Sequence, residues 1–251
     1  MKKIAFILFS ITSAFYSNAQ GIDSIYIKAN EYYTKGNFEE AATLYENILE
    51  QGYESAELYY NLANTYYKQN VISRAILNYE KALKLDPNDD DIKYNLELAN
   101  RLVVDKIEVL PVFFIKTWII KLRNIFTSDI WAIISVSAFI FTLIFISFFL
   151  YSKNLSFKKL SFWISFLILI ITVISILFSY QQKQKIIKGN TAIVMSPSVT
   201  VKSSPDISGT DLFVIHEGTK VWIDDQISGW NEIMLSDGSK GWLKAEDIEL
   251  I

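Results

Sequence analysis

The sequence has no cysteine and only one histidine, His216. The absence of cysteine excludes disulfides, thiol nucleophiles and cysteine-ligated metals, and a single histidine excludes a multi-histidine metal site. The motifs of phosphate-binding loops, serine hydrolases and zinc enzymes are also missing from the 251 residues. We therefore predict a protein that is not an enzyme and that binds no cofactor and no metal.

Charge is equally absent from two stretches in the middle of the chain, residues 130–152 and 160–182, each 23 residues long. A helix crosses a bilayer core of about 30 Å with roughly 20 apolar residues, so both stretches predict transmembrane helices. The connecting residues 153–159 are too few for a domain, which makes the pair a hairpin and places the flanking segments on one side of the membrane. Because neither span contains an Asp, Glu, Lys, Arg or His residue, we expect anchors and no transport pathway.

The first 19 residues have the layout of a signal peptide. Lys2 and Lys3 precede a short apolar run, and Ser17 and Ala19 supply small residues at positions −3 and −1 of a cleavage site. The alternative is an uncleaved membrane anchor, for which the apolar run is short. A cleaved signal places the segments on both sides of the hairpin outside the cytoplasm. Residues 153–159, with three lysines and no acid, then form a cytoplasmic loop.

The segments outside the apolar spans are acidic, whereas the basic side chains cluster around the spans. Residues 21–100 contain 7 basic and 14 acidic side chains, and residues 189–251 contain 4 basic and 10 acidic ones. Residues 101–188 contain 11 basic and 3 acidic side chains, which suits contact with anionic headgroups. Because an acidic surface repels nucleic acid, we expect no nucleic-acid partner.

Residues 22–55 and 56–89 align without gaps as two copies of a 34-residue repeat. The matched positions include Ala29 with Ala63, Ala41 with Ala75, and Tyr45 with Tyr79. A period of this length and composition predicts a helix–turn–helix solenoid, in which the alanines let helices cross closely and the tyrosines fill the space beside them. Residues 90–104 predict one more helix, which caps the stack.

The second copy resembles the tetratricopeptide repeat (TPR) family, which we place over residues 20–104. The matching positions are Tyr59, Leu62, Ala63, Tyr66, Ala75, Tyr79, Ala82 and Pro87. The first copy departs from the family at Lys28, where the family has an apolar residue, and at Tyr53, where it has proline. The resemblance implies a concave groove, lined by the first helix of each pair, that binds a peptide or a protein.

The groove positions of the family, carried over residue by residue, are Asn30, Tyr33, Glu57, Tyr60, Asn64, Tyr67, Lys68, Tyr94 and Asn95. Asn30 and Asn64 lie one repeat apart, so we expect their amides to hold a peptide backbone by hydrogen bonds. The alternative is that the tyrosines only pack the repeats and that the groove is merely solvated.

Residues 105–129 predict an amphipathic linker between the repeats and the first span. Lys116 and Lys121 flank Trp118 in a segment that is too short and too charged to cross a bilayer, which is typical of a helix lying in the membrane interface. The alternative is a helix buried against the repeats.

Residues 189–251 switch to short β-type runs separated by turn signals, which predicts a small all-β barrel. The six runs are residues 192–194, 199–201, 212–215, 220–223, 231–235 and 240–243. The segment resembles the bacterial SH3-like fold in two Gly-Trp pairs, Gly229-Trp230 and Gly241-Trp242. The resemblance implies that Trp230 and Trp242 form a surface for a protein or a peptidoglycan peptide, while the alternative is that they pack the barrel. His216 is expected to be a packed turn residue.

The complete order is therefore a multi-domain chain of α-solenoid (TPR), two-helix transmembrane hairpin and SH3-like barrel. It resembles the TPR/SH3 membrane proteins of the Bat (aerotolerance) operons. The residues that carry this resemblance are Asn95-Leu96, Asp105-Lys106-Ile107, Pro111, Phe113-Phe114, Trp118 and the two Gly-Trp motifs.

This resemblance implies a scaffold of an aerotolerance or envelope-stress complex in the bacterial inner (cytoplasmic) membrane, with both outer modules periplasmic. The implied partners are von Willebrand-type membrane proteins and a MoxR-type ATPase. The alternative function is a cell-wall-sensing module that binds peptidoglycan through the SH3-like barrel.

Overall fold

The structure is a computed structural model that describes residues 21–107, 114–187 and 189–251, without the side chains of residues 185–187. The predicted signal peptide, residues 1–19, lies outside the described residues. The chain divides into two compact units. The first, here called the head unit, contains the described residues up to Leu83, those of Asp89–Leu110, and Asn190–Ile251. The second, the hairpin unit, contains Lys84–Asn88 and the described residues of Pro111–Gly189.

Helical repeats form the first part of the head unit. The helices are α1 (residues 21–34), α2 (Phe38–Glu50), α3 (Ala56–Lys68), α4 (Ile72–Leu85) and α5 (Asp90–Asn100). Gly36 and Asn70 have positive φ values of 82° and 62° at the turns within the two helix pairs, where an L-residue with a larger side chain would be strained. Ser55 caps α3, because its hydroxyl accepts a hydrogen bond from the backbone of Leu58 at 3.0 Å. The predicted capping helix over residues 90–104 ends earlier, at Asn100.

The repeat positions occupy the core that their residue types predict. Ala29, Ala63, Ala41 and Ala75 are fully buried, as the close crossing of helices requires. Tyr45 and Tyr79 are each 1% exposed.

The carboxy-terminal part of the head unit, the β-domain, is one antiparallel seven-stranded sheet of order β3-β2-β6-β5-β4-β1-β7. The strands are β1 (Thr191–Val194), β2 (Ser198–Lys202), β3 (Asp211–His216), β4 (Lys220–Ile227), β5 (Trp230–Met234), β6 (Lys240–Lys244) and β7 (Ile248–Leu250). The first six correspond to the predicted β-type runs. The last, β7, is an addition that pairs with β1. Buried aliphatic side chains such as Val201, Ile233 and Leu243 form the core of the β-domain.

The repeats and the β-domain are joined by residues 103–107, here called the docking segment. Ile107 packs against the buried core of the β-domain. Asp105 accepts hydrogen bonds from the backbone N–H of His216 at 2.6 Å and from the hydroxyl of Thr219 at 2.6 Å. Lys106 turns the other way and donates to the backbone carbonyl oxygens of Arg101 and Val103, which follow the end of α5. The docking segment therefore caps a helix and packs against the β-domain at once.

Helix α4 supplies the second side of the same contact. Glu80 pairs with Lys220 at 2.6 Å, and the hydroxyl of Ser73 donates to Glu217 at 2.9 Å. Gly218, with φ of 84°, lies in the turn between β3 and β4. A Cβ placed there would stand 2.9 Å from a methyl carbon of Val103 and 3.3 Å from one of Ile76. Only glycine meets both the backbone conformation and this close approach.

The hairpin unit contains α6 (Phe114–Arg123), α7 (Ser128–Tyr151) and α8 (Leu155–Ile187). Both α7 and α8 are long and apolar enough to cross a membrane, with mean hydropathy values of 2.6 and 2.7. Helix α8 begins inside the predicted loop of residues 153–159, so the connection shrinks to residues 152–154. Asn154 explains the early start, because its side-chain oxygen accepts from the backbone N–H of Ser156 at 2.9 Å and caps the helix.

Hydroxyl side chains line the contact between α7 and α8. Ser135, Thr142, Ser165 and Thr172 are buried and donate to carbonyl oxygens three or four residues earlier in their own helices. Such small residues let two helices approach closely in an apolar medium. At one end, the hydroxyls of Ser128 and Ser179 each donate to the other residue's backbone carbonyl, at 3.2 and 3.0 Å.

Candidate functional site

The predicted groove residues lie on the first helices of the repeats, α1 and α3, and on the capping helix α5. Asn30 and Tyr33 are on α1, the positions from Glu57 to Lys68 are on α3, and Tyr94 and Asn95 are on α5. A cleft of about 270 Å³ opens on this side of the molecule. Its lining residues are Asn30, Tyr33, Thr34, Tyr45 and Asn61.

A repeated set of hydrogen bonds between asparagine and tyrosine side chains connects the three helices. The amide nitrogen of Asn61 donates to the hydroxyl of Tyr26 at 2.6 Å. One repeat later, the amide nitrogen of Asn95 donates to the hydroxyl of Tyr60 at 2.8 Å. The same bond therefore recurs between α3 and α1 and between α5 and α3, and it fixes the spacing of the helices that carry the predicted groove residues.

A second recurring bond joins each groove helix to its paired helix. The hydroxyl of Tyr45 donates to the side-chain oxygen of Asn30 at 2.5 Å, and that of Tyr79 donates to Asn64 at 2.6 Å. The oxygen of Asn64 also faces the amide nitrogen of Asn95 at 3.4 Å. Two donors already occupy this oxygen, so Asn64 can offer a peptide only its amide nitrogen, as a donor to a peptide carbonyl.

The buried tyrosines act as hydrogen-bond donors at every physiological pH. Burial raises the pKa of the Tyr45 hydroxyl to about 12. Burial also raises the pKa of Tyr79. The pKa of the Tyr26 hydroxyl is also raised, and burial is the largest cause. The hydrogen bond that this hydroxyl donates to Glu57, at 2.7 Å, raises the pKa further. These hydroxyls keep their protons, so they hold the framework together and cannot serve as bases.

Three of the predicted tyrosines remain available at the surface of the groove. Tyr33 is half-buried, and its ring meets that of Phe38 edge-on with centroids 5.5 Å apart. Tyr67 is half-buried, and Tyr94 is 62% exposed. Among the hydrogen bonds of the described residues, none involves the hydroxyls of these three side chains. Lys68 is exposed at the end of α3, so it can meet an acidic group on a partner.

The predicted set does not include Tyr26 and Asn61, although both belong to the hydrogen-bonded framework. A signal for them is present in the sequence, because Tyr26, Tyr60 and Tyr94 are spaced 34 residues apart, as are Asn61 and Asn95. The matching residue types at the repeat period point to a shared structural role.

The two tryptophans of the predicted SH3-like surface have different environments. Trp230 begins β5, is half-exposed, and lines a cleft of about 530 Å³ together with Gly229, Asn231 and residues of β7. Trp242 lies in β6 opposite Glu232 and is only 9% exposed. Trp242 therefore packs within the β-domain, as the alternative interpretation expected. Trp230 is the tryptophan of the pair that can contact a ligand.

His216 lies at the end of β3, where its ring nitrogen Nδ1 is 2.9 Å from a carboxyl oxygen of Asp105. Burial alone raises the pKa of the Asp105 carboxyl, but the hydrogen bonds from Thr219 and His216 outweigh burial and lower the pKa below its usual value. The histidine therefore belongs to the contact between the repeats and the β-domain.

The family model of the tetratricopeptide repeat matches residues 26–90. The chain contains tetratricopeptide repeats. The matched residues span both predicted copies and include the asparagine–tyrosine framework up to Tyr79. The predicted groove therefore lies on repeats of a type that generally binds proteins. No curated protein matches the chain, and the resemblance to the proteins of the Bat operons stays a prediction.

Proposed function

We propose that this protein is a membrane-anchored scaffold whose TPR groove holds an extended segment of a partner protein. The observation that carries the proposal is the asparagine–tyrosine framework across α1, α3 and α5. It holds the helices in register and presents Tyr33, Asn64 and Tyr67 on one surface. A rigid surface loses little conformational entropy on binding, which favours the capture of a flexible peptide.

The chemistry of the groove favours a partner segment that is largely uncharged along the centre of the groove. The central side chains are amides and phenols, which donate to peptide carbonyls and stack on apolar side chains. Charge is confined to Glu57, already bonded to Tyr26 at 2.7 Å, and to Lys68 at the end of α3. One cation and one anion at separate positions suit a polar or aromatic segment better than a strongly charged one.

The order of modules supports a place in an aerotolerance or envelope-stress complex at the bacterial inner membrane, with the head unit in the periplasm. The resemblance described above suggests von Willebrand-type membrane proteins and a MoxR-type ATPase as partners. The predicted signal peptide and the hairpin of α7 and α8 support this orientation, because a hairpin returns the chain to the side it came from.

The proposal is tested by affinity capture of partners from membranes with full-length protein carrying Tyr67→Ala together with Lys68→Ala. Neither side chain belongs to the hydrogen-bonded framework, so the repeats should stay folded. The matched control is Tyr53→Ala, which removes an exposed tyrosine that lies outside the groove. We expect the groove variant to lose the captured partner and the control to retain it. Equal capture by both variants would show that the groove does not bind the partner.

A second candidate function is the binding of a peptidoglycan peptide in the cleft beside Trp230. The observation that favours it is the half-exposed indole on a cleft of about 530 Å³, which is large enough for several peptide residues. Co-sedimentation of full-length detergent-solubilised protein with purified wall material tests it. Binding that Trp230→Ala abolishes and Tyr53→Ala leaves intact would support wall recognition, and the absence of binding at low salt would eliminate it.

A further inference from the structure

Helix α6 exposes an apolar stripe within the hairpin unit. Ile115, Trp118, Ile119 and Leu122 follow the i, i+3, i+4, i+7 spacing of one helix face, and they are 49%, 79%, 49% and 49% exposed. No residue of α6 is buried. A stripe of this size on a ten-residue helix needs an apolar neighbour in solution.

Basic side chains border this stripe on both sides. Lys116 and Arg123, seven residues apart, fall on one side of it, and Lys121 falls on the other. The helix contains no acidic residue. Lysine and arginine at the edges of an apolar face can extend their charged ends to lipid headgroups while their stems follow the apolar surface.

The end of α6 is fixed at the mouth of the helical hairpin. The backbone carbonyl of Arg123 accepts from the indole N–H of Trp131 at 2.7 Å and from the side chain of Gln182 at 3.1 Å. Gln182 also donates to the carbonyl of Phe126 at 3.0 Å. Trp131 is near the start of α7 and Gln182 is near the end of the apolar part of α8, so both mark the level at which the two apolar helices end.

We propose that α6 lies on the membrane surface and selectively binds anionic phospholipid headgroups. The inference rests on the proposed membrane anchoring, because the ties to Trp131 and Gln182 hold α6 where the bilayer surface meets the hairpin. The stripe contacts a lipid surface. The charge of that surface is negative, because three basic side chains and no acidic one border the stripe. Each basic residue near an anionic surface favours the bound state about fivefold.

The absence of cysteine from the sequence permits a direct test with single-cysteine variants of the full-length protein. An environment-sensitive label at Ile119→Cys reports on the stripe, and the same label at Thr117→Cys reports on the opposite side of α6. The protein is reconstituted into vesicles of phosphatidylcholine alone or into vesicles that also contain roughly 30% phosphatidylglycerol. The phosphatidylglycerol supplies the anionic headgroups. Nitroxide lipids then quench labels that are in contact with the bilayer.

We expect strong quenching at Ile119→Cys, weak quenching at Thr117→Cys, and a larger difference in vesicles with phosphatidylglycerol. Adding Lys116→Gln and Lys121→Gln should lower the ratio of lipid-buried to water-exposed label about fivefold for each lysine removed. The matched pair Lys153→Gln and Lys159→Gln removes the same charge near the opposite end of the hairpin and should leave the ratio unchanged.

A label at Ile140→Cys, in the middle of α7, separates failure of this inference from failure of the anchoring. Deep quenching there with no quenching at Ile119→Cys would contradict the surface helix alone and would indicate a protein neighbour for the stripe. Quenching at Ile119→Cys that is the same in both lipid mixtures would contradict the selectivity for anionic headgroups. No quenching at Ile140→Cys would overturn the membrane anchoring itself.

Discussion

At the scale of single residues, Asp105 joins the end of the repeats to the β-domain. Its carboxyl group accepts from the backbone and ring of His216 and from Thr219, and it is contributed by the docking segment that follows α5. Because these donors lower the pKa of the carboxyl, protonation of Asp105 favours the unfolded chain. The stability it contributes is complete above the pKa of an unfolded aspartate, about 4, and is lost as the pH falls through the lower folded value.

Asp105→Asn should lower the free energy of unfolding of the head unit by about 2 kcal/mol at pH 7, the size expected for hydrogen bonds to a charged group. The variant should also lose less stability than the unmodified protein between pH 5 and pH 2. Thermal unfolding of Asp105→Asn and of the unmodified protein, followed across this pH range, measures the difference in stability. Asp237→Asn is the control, because Asp237 is exposed and its side chain bonds only within its own turn. Equal pH profiles for Asp105→Asn and the unmodified protein would refute the assignment.

Gly218 permits a sharper test of the contact between the repeats and the β-domain. Gly218→Ala and Gly229→Ala both place an alanine at φ near 84°, which costs about 1–2 kcal/mol. Only Gly218→Ala also drives a Cβ to 2.9 Å from Val103, whereas nothing lies within 4 Å of the equivalent atom at Gly229. Chemical denaturation should show a larger loss for Gly218→Ala. Equal losses would mean that the close approach to Val103 is absent in solution.

At the scale of helices and strands, the sequence predicts those elements that a local residue pattern encodes. The buried alanines and tyrosines of the repeats follow from a fixed period, and six strands follow from short β-type runs between turns. Strand β7 does not, because Ile248–Leu250 is only three residues long and depends on pairing with β1. The early start of α8 at Leu155 depends on the side chain of Asn154, a cap that a search for uncharged windows does not detect.

The recurring bond between paired helices predicts a difference between two tyrosines of the repeats. Tyr79→Phe removes the buried donor to Asn64, so the free energy of unfolding should fall by about 1 kcal/mol. Tyr67→Phe removes a hydroxyl outside the framework and should leave stability unchanged. Urea denaturation of both variants measures the two free energies of unfolding. A similar stability for the two variants would show that the framework does not hold the helices in register.

At the scale of the whole molecule, the repeats and the β-domain share one compact unit. The sequence pattern predicts the repeats and the β-domain as separate modules, because α7 and α8 lie between them in the sequence. Their contacts join Ser73, Glu80 and Asp105 to residues more than 100 positions later, and no local pattern encodes such pairs. Because the repeats and the β-domain are held together, the proposed groove and the surface of the β-domain have a fixed spacing, which differs from two contacts joined by a flexible tether.

Single-cysteine variants also test the arrangement of the full chain across a membrane. Tyr53→Cys in the repeats and Asp237→Cys in the β-domain should react with a membrane-impermeant thiol reagent from the same side. Asn154→Cys, in the connection between α7 and α8, should react only after the membrane is opened. Reaction of Asn154→Cys in intact cells together with the other two would contradict a hairpin that crosses the bilayer twice.

Photo-crosslinking from position 67 of the full-length protein in intact cells shows whether the groove holds a partner segment. The same photoreactive residue at position 53 serves as the control. We expect a defined membrane-associated protein to be trapped at position 67 through one short segment and not to be trapped at the control position. Products at both positions alike, or none at position 67 in a correctly inserted protein, would contradict the groove as the binding surface.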